Sequence, residues 1–196
     1  SSTLDLDILL PRIARLSLQV LRSTRCVIML LDESRQFLIP RASVSLNGKA
    51  PTSAKIKLGE KVEGRVAKDG RMVVKKSFIC VPLVDEDVIG VIAVAHKLDG
   101  TPFSAFDREI LVTFAEQAVI AIKNAQLYAE QEKITLGSIK ALTSVLDAKS
   151  PLTYTRSLAF VSLILAIARA LKVSREELKI LHYAALLPDT GKLGVP

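Results

Sequence analysis

Apolar residues between Leu4 and Leu21 recur at mostly helical intervals (Leu6, Leu9, Leu10, Ile13, Leu16, Leu18, Val20), which predicts an amphipathic opening helix. The pattern then changes to short apolar runs. Cys26–Leu31 and Phe37–Val44 read as strands on either side of the turn Asp32-Glu33-Ser34. Asn47-Gly48 and Pro51 mark a loop, Gly59 to Gly70 a short helix with Val62, Val66 and Ala67 on one side, and Met72-Val73-Val74 a brief strand. The clearest strand pair is Phe78–Val84 with Val88–Ala95, joined by Asp85-Glu86-Asp87. Its near-continuous apolar character implies cover on both faces. Five strands packed against an opening and a closing helix make a complete α/β domain.

From Ser104 the period becomes helical, opened by Ser104-x-x-Asp107, whose two side-chain oxygens suit the free amides of a helix start. Leu111, Phe114, Ala118, Ala121, Ala125 and Tyr128 alternate by threes and fours. After Glu132 and Thr135 the frame resumes at Ile139, Leu142 and Leu146, a seam suited to a partner helix. Unbroken from Ser104 to Ala148, this helix would reach about 65 Å; Gly137 is its weak point. Ser150-Pro151 interrupts the register. The apolar helix Ser157–Leu171 follows, then Ser174-x-x-Glu177 capping a helix Arg175 to Leu187, then a turn at Pro188-Asp189-Thr190-Gly191.

A length of 196 residues suits one α/β domain and a smaller helical piece. The longest apolar run, Leu158 to Ala168, is broken by Ser162 and closed by Arg169. It falls short of the roughly 18–20 residues that span a bilayer. Ser1 to Leu10 lacks the basic start of a secretory signal, so no membrane association and a cytoplasmic location are expected. Cys26 and Cys80 sit in apolar runs without metal or redox spacing and read as buried thiols. The net charge of +7 is spread from Arg12 to Lys192, with no Trp and 5% aromatic residues. A solvated basic surface is therefore preferred over nucleic-acid binding.

Four stretches carry a resemblance: Phe78-Ile-Cys-Val-Pro-Leu, Val88-Ile-Gly-Val-Ile-Ala-Val, Pro102-Phe-Ser-Ala-Phe-Asp and Ala115-Glu-Gln-Ala-Val-Ile-Ala-Ile-Lys-Asn-Ala. In this order they resemble a GAF domain, a family of small-molecule sensor modules, which implies an α+β fold with an antiparallel sheet and flanking helices. The resemblance implies a ligand pocket, for which Ser43, Arg65, Phe78 and Cys80 are candidates, with the ligand unknown. Cyclic-nucleotide-binding members carry Asn-Lys…Phe-x-x-x-Asp-Glu; here His96, Lys97, Phe103, Asp107 and Arg108 stand at those positions. The Lys97–Asp107 pair is expected as a structural tie between strand and helix. The family's pocket is closed by a helical lid, yet only Lys75-Lys76 separates Val74 from Ser77. Either the lid is absent, leaving an open groove, or a segment is missing from the sequence.

The last third is similar to the start of an HD-GYP domain, a family that hydrolyses cyclic di-GMP with a cluster of metal ions. The matching residues run from Leu142-x-x-Val-Leu-Asp-Ala-Lys-Ser-Pro-x-Thr-Tyr to Ala184-Ala-Leu-Leu-Pro-Asp-Thr-Gly-Lys-Leu-Gly-Val-Pro. The resemblance implies a His after the Thr-Tyr and a His-Asp pair before the Gly-Lys. This chain has Arg156 at the first position and Pro188 before Asp189 at the second. A guanidinium stays protonated and offers no lone pair, and proline has no side-chain ligand atom. Asp189 is thus the sole surviving metal-ligand position, expected to be unoccupied, and Lys192 matches a lysine that meets the substrate phosphate. No catalytic residue is expected. Divalent metal such as iron or manganese is expected only in an intact family member, so this chain carries no cofactor. Arg156 is expected to pair with Asp189 instead. The match stops at Pro196, before the family's Gly-Tyr-Pro motif.

These readings divide the chain into a GAF-like sensor (1–128), a connecting helix (129–150) and a truncated, partial all-α HD-type segment (151–196). The expected function is sensing of a small molecule or partner, relayed through a homodimer along helix 104–148. The alternative is a regulatory fragment of an active, metal-dependent cyclic di-GMP phosphodiesterase of a bacterium.

Overall fold

The computed structural model describes residues 6–46, 55–147 and 151–186. The chain divides into two compact units, with the boundary after Leu127. In the first, α1 (Leu6–Val20) leads to β1 (Ser23–Leu31), β2 (Phe37–Ser45), β3 (Ile56–Lys57), α2 (Lys61–Asp69), β4 (Val73–Lys75), β5 (Phe78–Val84) and β6 (Val88–Lys97). Helix α3 (Ala105–Asp147) begins in this unit. The six strands form one sheet in the order β3-β2-β1-β6-β5-β4, with every neighbouring pair antiparallel.

The alternation of side chains along these strands separates two cores. On one face Cys26, Ile28, Ile79, Val81, Ile92 and Val94 meet Leu10, Ala14 and Leu18 of α1 and Leu111, Ala115, Ala118 and Ile122 of α3. On the other, Val27, Met29, Leu38, Ile56, Cys80, Val91 and Ala93 meet Val66 and Ala67 of α2. Strands β5 and β6 are covered on both sides, as their continuous apolar runs imply. Gly90 is where β6 crowds β1: a Cβ there would lie 2.2 Å from the Met29 carbonyl oxygen.

Several boundaries differ from the sequence reading, each for a local reason. Strand β3 was not expected, since two residues are too few to show alternation; it pairs with Phe37 and Leu38. Helix α2 starts at Lys61, not Gly59, because Gly59 (φ 87°) and Lys61 (φ 51°) are left-handed and turn the chain first. The seam expected along α3 is partly used up within the first unit. Leu111 and Ala118 are fully buried against the sheet and unavailable to a partner.

In the second unit, α4 (Pro151–Ala170) begins at the proline that the sequence reading took as an interruption. Proline's fixed φ suits a first helical position. Lys172 (φ 55°) ends α4, with the Val173 N–H donating to the Ala168 carbonyl at 3.1 Å. Ser174 then caps α5 (Arg175–Leu186): its hydroxyl receives the Glu177 N–H, and Glu177 accepts from the Ser174 N–H. Val161, Ala185 and Leu186 form the buried centre of this unit. Helix α4 also exposes Phe160, Leu163 and Ile167, so it is apolar on more than one side. The helical content agrees with the sequence reading, but the family of this unit is not established by it. No helix among the described residues is long and apolar enough to cross a membrane.

Candidate functional site

The α2 side of the sheet gathers most of the expected pocket residues. Strand registers align Ser43, Val27, Ala93, Cys80 and Val73 in one cross-strand row. The adjacent row on the same face is Ser45, Arg25, Ala95, Phe78 and Lys75. Directly paired residues lie about 4.5–5.5 Å apart, so Phe78 and Cys80 are near neighbours of Ala95 and Ala93. The Ser43 Oγ is buried and has no hydrogen-bond partner among the described residues. Arg65 is not brought to these rows; it is exposed on α2, its Nε donating to the Lys61 carbonyl at 3.0 Å.

The members of these rows that the sequence reading did not single out include Arg25 and Ala95. Their signal was the spacing by two from Val27 and Ala93, legible only once strand partners are known. Between β4 and β5 there is a tight turn at Lys76-Ser77 and no lid helix. The residues beyond Leu46 that precede Lys55, including Asn47-Gly48 and Pro51, lie outside the described set.

Neither cysteine is poised for chemistry. Burial pushes the Cys26 thiol up to about 12. It raises Cys80 further still, with the nearby Glu63 carboxylate adding to the effect. Both stay protonated at neutral pH and behave as small apolar side chains.

At the other end of β6, the Lys97 ammonium donates to Asp107 Oδ2 at 2.9 Å, with side chains only 15% and 10% exposed. The same oxygen accepts from the Ser104 N–H at 2.7 Å and the Ser104 hydroxyl at 2.9 Å, while the Asp107 N–H donates to Ser104 Oγ. This node fastens the last strand to the first turn of α3. Burial alone would raise the Asp107 carboxyl, but the Ser104 N–H, the Lys97 ammonium and the Ser104 hydroxyl outweigh it and hold the group below its ordinary range. His96 precedes the pair at φ 54°, a left-handed position that Asn and His tolerate better than most residues. The exchange of Asn for His at this position therefore keeps the backbone.

A family model described as "GAF domain" matches residues 5–124. The chain belongs to the GAF domain family. Solved structures agree on the fold. The GAF domain from Acinetobacter phosphoenolpyruvate-protein phosphotransferase is 24% identical with a TM-score of 0.55, covering 62% of this chain and 84% of that one. A methyl-accepting chemotaxis protein fragment, residues 122 to 287, is 22% identical with a TM-score of 0.58, covering 64% and 93%. A GAF domain/HD domain protein from Geobacter sulfurreducens is 17% identical with a TM-score of 0.55, covering 65% and 97%. In Drosophila melanogaster, the dual 3′,5′-cyclic-AMP and -GMP phosphodiesterase 11 is 36% identical over 59 residues, which is 29% of this chain and 4% of that protein. A GAF unit points to sensing and signal transduction.

The side chains at the four positions expected from the resemblance to an HD-GYP domain lie outside what the structure describes. The side chain of Arg156 and all of Pro188, Asp189 and Lys192 lie outside the described residues, so the expected Arg156–Asp189 pairing does too. Among the described residues, no three His, Cys, Asp or Glu side chains gather closely enough to hold a metal ion. His182 is half-buried and stacks with Tyr183 at 6.4 Å between ring centroids.

Proposed function

We propose that the chain is a sensing and relay module. The GAF unit takes up a small molecule or partner on the α2 side of its sheet. The change passes through the Lys97–Asp107 node into α3, which pairs with a second copy and leads into an HD-GYP-like helical segment that does not itself catalyse. The reading places the chain in the bacterial cytoplasm.

The observation that carries the relay is the exposed side of α3. Phe106, Ile120 and Leu127 stand in one seven-residue frame with Thr113 between them, all exposed, and Ile134 continues that frame in the second unit. A seven-residue recurrence of exposed, mostly apolar positions, interrupted here by Thr113, supports a left-handed helix pair. The repeat lies apart from the residues that α3 buries against its own sheet. Analytical ultracentrifugation tests it: the chain sediments as a dimer, and Ile120→Glu with Leu127→Glu yields a folded monomer. A monomeric parent chain contradicts the relay.

A second reading makes the chain a regulatory piece of an active, metal-dependent cyclic di-GMP phosphodiesterase. It is supported by the solved neighbour described as a GAF domain/HD domain protein. Against it, Arg156 and Pro188 bring no ligand atom to their positions. Bound iron or manganese together with cyclic di-GMP hydrolysis in a longer form of the protein would favour this reading.

A further inference from the structure

We infer that the GAF unit's ligand is a small organic anion with an apolar body, its charged end held by Arg25 and Lys75 and its body lying over Ala95 and Phe78. This rests on the reading that the α2 side of the sheet is the sensing face. Arg25, Ala95, Phe78 and Lys75 occupy successive places in one cross-strand row, so the two cations flank the small Ala95 and the ring of Phe78. Three strand spacings of about 4.8 Å put their backbones roughly 14 Å apart. Two side chains as long as Arg and Lys can share a single carboxylate or phosphate across such a gap.

Arg25 and Lys75 are among the cations left without a carboxylate partner in the described residues. Arg35, Lys55, Lys97, Lys123 and Lys179 each have a carboxylate within 4.0 Å. Arg25 and Lys75 have neither an ion pair nor a hydrogen bond among the described residues, although both border an apolar floor. A guanidinium offers a planar fork that fits a carboxylate or phosphate. The carboxylate facing this surface from α2 is Glu63, which lies near Cys80 in the neighbouring row. That placement keeps an anion's charged end to the Arg25–Lys75 row.

The remaining polar group suits the same ligand. The Ser43 Oγ, buried and unpartnered among the described residues, lies in the neighbouring row beside Val27 and Ala93, and a rotation of its side chain would let it bond a hydroxyl or ring nitrogen of the body. Helix α2 packs chiefly on β3, β5 and β6. The β1–β2 part of the face, which carries Arg25 and Ser43, is therefore outside its main footprint.

Matched probes that differ in charge test the inference on the whole chain: adenosine 5′-monophosphate against adenosine, and benzoate against benzamide, by calorimetric titration and thermal shift. In at least one pair the anion is expected to bind about tenfold tighter, the worth of one charge-assisted contact. Arg25→Gln removes that preference and Lys75→Gln weakens it, whereas Lys133→Gln at an exposed site on α3 leaves it unchanged. No binding by either anion overturns the inference, as does binding that survives Arg25→Gln with Lys75→Gln. A neutral probe that binds as well as its anion, and is lost in Phe78→Ala, overturns the anion class while upholding the sensing face.

Discussion

Alternate residues of the same strands build two unlike surfaces. Toward α1 and α3, β1, β5 and β6 present Ile28, Ile79, Ile92 and Val94, all fully buried. Toward α2, the intervening positions include Ala93, Ala95 and Arg25, and β2 adds Ser43. The first surface is shaped for close packing. The second is also a packed core at Val27, Met29, Cys80 and Val91, but around Arg25, Ala95 and Ser43 it combines small, polar and charged side chains, the mixture of apolar floor and few polar groups found at ligand sites. One set of strands can therefore pack on both faces and still present chemistry at the part of the α2 face that the helix does not cover.

Substitutions that disturb the shared framework should have the largest effect. Gly90→Val places side-chain atoms against the Met29 carbonyl, where even a Cβ would be 2.2 Å away. It is expected to cost more than about 4 kcal/mol, seen as loss of cooperative urea unfolding in the first unit. Ile92→Ala, confined to the packed face, is expected to cost about 2–5 kcal/mol in the same measurement.

Asp107→Asn comes next, at about 1–3 kcal/mol, because the Lys97 ammonium keeps its burial but loses its charged acceptor. The folded-state pKa of Asp107 is depressed, so the stability it contributes is present above its unfolded value, about pH 4, and is lost as pH falls through the lowered folded value. The variant should thus be less stable at neutral pH and show a shallower loss of stability on acidification. An unchanged acid limb would place the stabilising contact elsewhere.

The smallest effects belong to the presenting face. Arg25→Gln and Ser43→Ala are each expected to stay within about 0.5 kcal/mol of the parent, since the first removes an exposed unpaired charge and the second an unsatisfied hydroxyl. A cost as large as that of Ile92→Ala would dissolve the distinction between the two surfaces.

Much of the first unit is legible in the sequence because its signals are local. The runs Phe78–Val84 and Val88–Ala95 are long enough to announce paired strands, and Ser104-x-x-Asp107 announces its own hydrogen bonds. What is not legible depends on distant partners. Ile56–Lys57 becomes a strand only because β2 lies beside it. Arg25 joins Phe78 only through the registers of β1, β5 and β6. Along α3, Leu111 and Ala118 lie on nearly the opposite side of the helix from Ile120 and Leu127, and both sides are apolar, so only the distant strands decide which pair is buried. In the second unit α4 is apolar nearly all round, so its sequence announces a helix without saying which side is covered.

Amide chemical-shift mapping of the intact chain during titration with adenosine 5′-monophosphate and with benzoate tests the division between the two faces most directly. The account predicts that the perturbed amides cluster at Arg25, Val27, Ser43, Phe78, Ala93 and Ala95, with smaller changes reaching Lys97 and Asp107. Perturbations centred instead on Leu9, Ile13, Phe114 and Ile120, between α1 and α3, would contradict it.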